Sequence, residues 1–198
     1  MNVSLRIVGM AAMAAALGGC AGLLGGGKPP VALVTLTPEA PESAQLVRNS
    51  AAGQAVTVAT PVVDKELRTN RVPVQVNPTM VQYVANLQLI DTPDRLFAGL
   101  VAETIRRTTS RVVLDPGQAA LDPGLTVTGA LQRFGYDAAT GQVIVQFDGS
   151  LASANGTQVQ TRRFTATAPA DGTSATVGPA LNRAANQVAR DVAQWVAG

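Results

Sequence analysis

Few residues in this chain are equipped for chemistry, and they are scattered. There is one cysteine, Cys20, and no histidine in 198 residues. Without histidine, Ser-His-Asp and Cys-His arrangements are unavailable, as are imidazole metal ligands and the commonest general base. G-x-S-x-G does not occur; Gly149–Ser150 is a small-residue pair inside an apolar alternation. The only lysines are Lys28 and Lys65, and Lys65 stands between Asp64 and Glu66, which keep it charged. Asp91 and Asp94 flank a helix start, where capping explains them. Asp115 and Asp122 each open a Pro-Gly turn, where Asp bonds its own backbone, and the acidic spacing of an EF-hand is missing. Arg162–Arg163 could recognise an anion, but neighbours on a strand point to opposite faces and cannot form one clamp. Gly22–Lys28 matches the G-x-x-x-x-G-K spacing of a phosphate loop, yet Pro29 follows where Ser or Thr would hold Mg²⁺, so the stretch reads as a linker. The residues therefore give no catalytic constellation, no cofactor site and no metal site.

That leaves Cys20. Met1–Arg6 carries one positive charge, Ile7–Leu17 is an uncharged, mostly apolar run, and Gly18–Gly19 lead into the cysteine. This is the order of a secretory signal. The run is eleven residues long, and a spanning helix needs about 20. Leu17–Cys20 ("LGGC") resembles the bacterial lipobox: an aliphatic residue, two small residues that fit a peptidase site, then the thiol that takes the diacylglyceryl group. Cleavage before Cys20 and lipidation of Cys20 are expected. More than one acyl chain is needed for stable anchoring, and lipoproteins of this type carry three. Ala21 follows the cysteine, which points to the outer membrane, facing the periplasm, with the inner membrane as the alternative.

Removing residues 1–19 from 198 leaves 179, enough for one domain with its own core. No thiol remains for a disulfide, so the fold holds by packing. Lys+Arg falls from 15 to 14 against 13 acids, which leaves no footprint for nucleic acid. Three segments follow: a signal peptide at 1–19, a lipidated Gly/Pro tether at 20–30, and a single domain at 31–198.

The elements that must position any site read as follows. Strands are expected at 31–38, 55–60 and 71–76, with short β pieces around Tyr83 and Leu89 and a loop with some helix at 39–54. Pro73 cannot donate to a ladder, which places its strand at an edge or in an unpaired position. Leu96, Phe97, Leu100, Val101, Thr104 and Ile105 recur at helical spacing behind Thr92 and Pro93, giving a helix over about 93–109. Val112–Leu114 is β. Residues 124–168 read as a three-stranded antiparallel meander. Its apolar parity switches between Leu131 and Phe134, which predicts a bulge near Arg133. Asn155–Gly156 sits in a type I′ hairpin position. Val177, Leu181, Ala184, Val188, Val192, Trp195 and Val196 form the stripe of a second helix at about 176–197. Arg183, Asn186, Arg190 and Gln194 fall on its other faces, and Pro179 is tolerable in its first turn only. Trp195, the only Trp, reads as a core anchor. The sum is an α+β domain: an antiparallel sheet with two helices on one face.

"PVVDKELRTNRVPVQVNPTMVQYVANLQLIDTPDRLFAGLVAETI" (61–105), "LTVTGALQRFGYD" and the terminal helix with Trp195 resemble the ABC-type transport auxiliary lipoproteins. These are partners of MCE-type lipid-trafficking transporters in Gram-negative envelopes. The resemblance runs over about 31–197, plus the lipobox. It implies a non-enzymatic accessory role, with the ATPase, the permease and the lipid-binding MCE protein on separate chains. Members often carry Trp where Leu89 stands, so a contact made by that Trp would be altered here. The alternative is an envelope lipoprotein that assembles or regulates a cell-wall or outer-membrane enzyme complex. The resemblance leaves open the transported lipid, the docking face and the stoichiometry.

Overall fold

A computed structural model describes residues 33–42, 47–49, 51–122, 124–153 and 158–198. The strands are β1 (Leu33–Val34), β2 (Val56–Val58), β3 (Val62–Val63), β4 (Arg71–Asn77), β5 (Met80–Leu89), β6 (Val113–Leu114), β7 (Leu125–Asp137), β8 (Gln142–Ala152) and β9 (Val159–Pro169). The helices are α1 (Pro93–Thr108) and α2 (Ser174–Ala197). Short 3-10 turns cover Lys65–Leu67 and Pro116–Leu121.

The class is α+β, as expected, but the sheet is mixed and not wholly antiparallel. β7 is its hub. Along one edge it pairs antiparallel with β8, which pairs in turn with β9. Along the other edge it meets β2, β3 and β4 in succession, all parallel. β6 adds to β2 and β1 adds to β5, again in parallel. Parallel pairing needs no local turn, so hairpin signals in a sequence cannot reveal it. The meander stands as read, including a register shift between Leu131 and Arg133. The Asn155–Gly156 turn lies outside the described residues.

β4 is not an edge strand. It lies between β5 and β7, and Pro73 is buried. Two irregularities accommodate the proline. The ladder to β7 begins only at Val74, and the ladder to β5 slips between Arg71↔Gln88 and Pro73↔Tyr83. Gly135 lets β7 pass close by, since a Cβ there would come within 2.4 Å of the Pro73 carbonyl oxygen. β5 is one continuous strand and not two pieces; it bends at Asn86, whose φ is 55°.

α2 covers the face presented by Val143, Val145 and Phe147 of β8 and Phe164, Ala166 and Ala168 of β9, and α1 packs beside it over β2 and β6, reaching β8 through Phe97 against Phe147. Burying these apolar side chains is the main force holding the layers together, at about 1.5–3 kcal/mol for each large one. Phe97 of α1, Phe147, Phe164 and Trp195 of α2 form a row with centroids 5.2, 6.4 and 5.4 Å apart. Trp195 ends this row half-buried, so it is less of a core anchor than its place on the stripe suggests. α2 begins two residues earlier than expected, which puts Pro179 in its second turn. Among the described residues the core cluster runs from Leu36 to Val196, with Val34 packed against it.

Candidate functional site

The N-terminal segment of the described domain is held by side chains of α2. Cys20 and Lys28 lie outside the described residues. The described chain starts with β1, two residues long, beside Gln88 and Leu89 of β5. The strand expected over 31–38 stops there because side chains of α2 take over from the ladder. Asn182 Oδ1 accepts the Thr37 amide at 2.8 Å. Asn186 Oδ1 accepts the Glu39 amide at 2.8 Å, and its Nδ2 donates to the Thr37 carbonyl and the Asn182 carbonyl at 2.9 Å each. Arg190 Nη1 reaches Glu39 at 3.1 Å, and Arg107 Nη1 donates to the Ala40 carbonyl at 2.9 Å. Leu36 and Ala40 are buried beneath this clamp.

The apolar stripe places Asn186 on another face of its helix, yet it is only 1% exposed. The available signal was the Asn182/Asn186 pair at i, i+4 within an Ala- and Val-rich helix. That spacing puts both amides on one face. A buried amide needs partners, and here the partners are an extended backbone.

The remaining candidates resolve into structural roles. Asp91 accepts the Thr92 amide at 2.7 Å and faces Arg95 at 3.8 Å. Asp115 forms a capping box with Gln118. The Asp122 carbonyl accepts the Gly124 amide at 2.7 Å within its turn, while its carboxylate reaches outside it, accepting the Gly53 amide at 2.7 Å and the Ala55 amide at 3.1 Å. Lys65 sits in the first 3-10 turn. Arg162 and Arg163 part as expected. Arg163 pairs bidentately with Asp148 at 2.6 and 2.7 Å on the face away from the helices, which holds the Asp148 carboxyl below its usual range. Arg162 lies over the Phe164 ring on the helix side. Among the described residues, no three His, Cys, Asp or Glu side chains converge to hold a metal ion. Among them, too, no helix is long and apolar enough to cross a membrane.

The open edge expected at β4 lies one strand further out. Among the described residues, β1 covers β5 only at Gln88 and Leu89. Met80 and Val81 are 48% and 36% exposed on the uncovered part. The Arg71 guanidinium stacks 4.2 Å from the Tyr83 ring centroid beside them. Leu89 is fully buried and therefore belongs to the core and to no contact surface.

Two solved structures are similar to this fold. One is the crystal structure of a Xanthomonas campestris protein of the DUF330 family. It has a TM-score of 0.65 at 18% identity and covers 76% of this chain and 89% of its own. The other, a crystal structure of an uncharacterized protein, has a TM-score of 0.59 at 15% identity and covers 76% and 96%. At these identities the likeness is one of fold. A comparison with curated proteins gives no match. A family model for the ABC-type transport auxiliary lipoprotein component matches residues 35–193, a span that opens at the clamped segment and closes in the last turns of α2. The chain belongs to the family of ABC-type transport auxiliary lipoprotein components.

Proposed function

We propose that this protein is the lipid-anchored accessory component of an MCE-linked lipid transport system, acting by docking and without catalysis. It is cleaved before Cys20, acylated there, and held at the outer membrane facing the periplasm by the tether at 20–30. The observation that carries the reading is the clamp at Thr37 and Glu39. It fixes to α2 the segment through which an anchor at Cys20 would act on the domain. Docking uses the uncovered edge of β5. That edge combines exposed Met80 and Val81 with backbone able to accept a partner's strand.

Mass spectrometry of membrane-extracted protein tests the anchor. The expected N-terminal peptide begins at an acylated Cys20; an intact Met1 or an unmodified Cys20 would overturn it. Cys20→Ser should abolish activity in cells while leaving the domain able to bind its partner, because the anchor sets effective concentration and not contact.

A further inference from the structure

Leu33 and Ile90 are 60% and 55% exposed. The pairing of β1 with β5 brings them together. Leu33 pairs with Gln88, and the Ile90 amide donates to the Val34 carbonyl at 3.0 Å, which carries the pairing one residue past the strand. Two residues on from Gln88, Ile90 faces the same side and is the diagonal neighbour of Leu33. Val34 and Leu89 point the other way, into the core, so this side is turned away from the helices. Arg71 extends the row: it pairs with Gln88 from β4, and its guanidinium rests on the Tyr83 ring. Arg and Tyr each join an apolar body to a polar tip, which suits the border between an apolar and a wet surface.

The patch lies where the chain arrives from its anchor. Leu33 stands thirteen positions after Cys20. Thirteen residues reach at most about 45 Å, so a lipid at Cys20 keeps Leu33 within that distance of a bilayer. Met80 and Val81, the other exposed apolar pair of β5, lie at its opposite end. β5 is ten residues long, about 30 Å when extended. Charge does not select at the patch. The flanking segments 64–71 and 91–95 together carry four cations and four acids, so they present no net charge to a head group.

We infer that Leu33 and Ile90 rest on the bilayer that holds the anchor, with Arg71 and Tyr83 at the level of the head groups. The inference rests on lipidation at Cys20 and adds an orientation to it. Two side chains bury too little to hold a free domain, so the contact forms only when a tether supplies the effective concentration. The two ends of β5 then differ: the Leu89 end meets lipid, and the Met80 end meets a protein partner.

The test uses the acylated chain in vesicles of phosphatidylcholine and phosphatidylethanolamine. Cys20 is the only cysteine, so once acylated it leaves an introduced thiol as the single labelling site. An environment-sensitive dye is attached at Ile90→Cys and, as reference, at Thr167→Cys on the exposed side of β9. A second preparation, the chain from residue 20 with Cys20→Ser and an N-terminal hexahistidine tag, is held on a nickel-chelating lipid. Circular dichroism checks the fold of each. In both preparations the dye at Ile90→Cys should shift to the blue and be quenched by lipid spin-labelled near the head group, while the dye at Thr167→Cys stays unchanged. Leu33→Ser should lower the ratio of contacting to free domains about tenfold, as expected for removing one partly exposed apolar side chain from the contact. Added NaCl should change nothing. A response in the chelated chain alone would support the surface and reject the acyl anchor. Equal responses at the two positions in the chelated chain, or a response abolished by salt, would overturn the inference.

Discussion

Asn186 donates from its side-chain amide to the Thr37 carbonyl at 2.9 Å, joining residues 149 positions apart. With the Glu39 amide bonded to its Oδ1, one side chain of α2 serves the backbone of the N-terminal segment much as a neighbouring strand would. The helix thereby becomes part of the attachment of the domain to whatever holds residue 33.

Asn186→Leu should loosen that attachment. It removes the partner of the Glu39 amide and of the Thr37 carbonyl; both residues are exposed and water can replace part of each bond, so the cost is about 0.5–1.5 kcal/mol per bond. Thermal denaturation should register the loss. Hydrogen exchange should show faster exchange at Glu39 while the meander stays protected. Unchanged exchange at Glu39 would mean that the clamp does not hold the segment.

The aromatic row sets a second expectation. Phe147 is buried between Phe97 and Phe164, whereas Trp195 ends the row half-buried. Phe147→Ala should cost about 3–5 kcal/mol, and Trp195→Ala clearly less. The unaltered protein should emit between the buried and exposed indole positions. Urea unfolding of the two variants, read by circular dichroism, ranks them; the reverse order would count against the packing described.

Gly129 stands at φ 149° opposite Gly149 in the β7–β8 ladder. A Cβ there would fall 2.1 Å from the Asp148 carbonyl oxygen and 2.9 Å from the Phe147 ring. Gly129→Ala should therefore destabilise by more than the about 1 kcal/mol typical of point mutations. A melting temperature equal to that of the unaltered protein would contradict this.

Acid should loosen the start of α2. Hydrogen bonds from Thr176 and Thr173 lower the Asp171 pKa to about 2. A depressed carboxylate contributes stability that is present above its unfolded pKa of about 4 and is lost as pH falls through the folded value. Glu103 is lowered chiefly by Arg107, Asp137 by Arg133 and Asp148 by Arg163, so all act in the same direction. Melting temperature should fall between about pH 4 and pH 2. Asp171→Asn should be less stable near neutrality and show a shallower fall.

What the sequence made legible was local. The α1 helix followed from Pro93 and the spacing of Phe97, Leu100, Val101 and Ile105. The bulge followed from the parity switch between Leu131 and Phe134. Other features depend on contacts between distant segments. Pro73 reads as marking an edge or an unpaired position; β4 is interior, and the proline fits because the ladder to β7 begins only at Val74, the ladder to β5 slips just before it and Gly135 gives it room. Asn186 reads as a surface residue because its partners lie at Thr37 and Glu39, far away in the chain. Asp122 follows the same logic: a turn former by type, its carboxylate is bound to the distant Gly53 and Ala55 amides.

Co-purification of the lipidated protein from native membranes, with the captured proteins identified by mass spectrometry, tests the central claim most directly. The account predicts an MCE-type transporter component in the captured fraction, retained with Cys20→Ser or with the soluble domain and diminished when charges are placed at Met80 and Val81. Capture of a cell-wall enzyme with no MCE-type protein would contradict it.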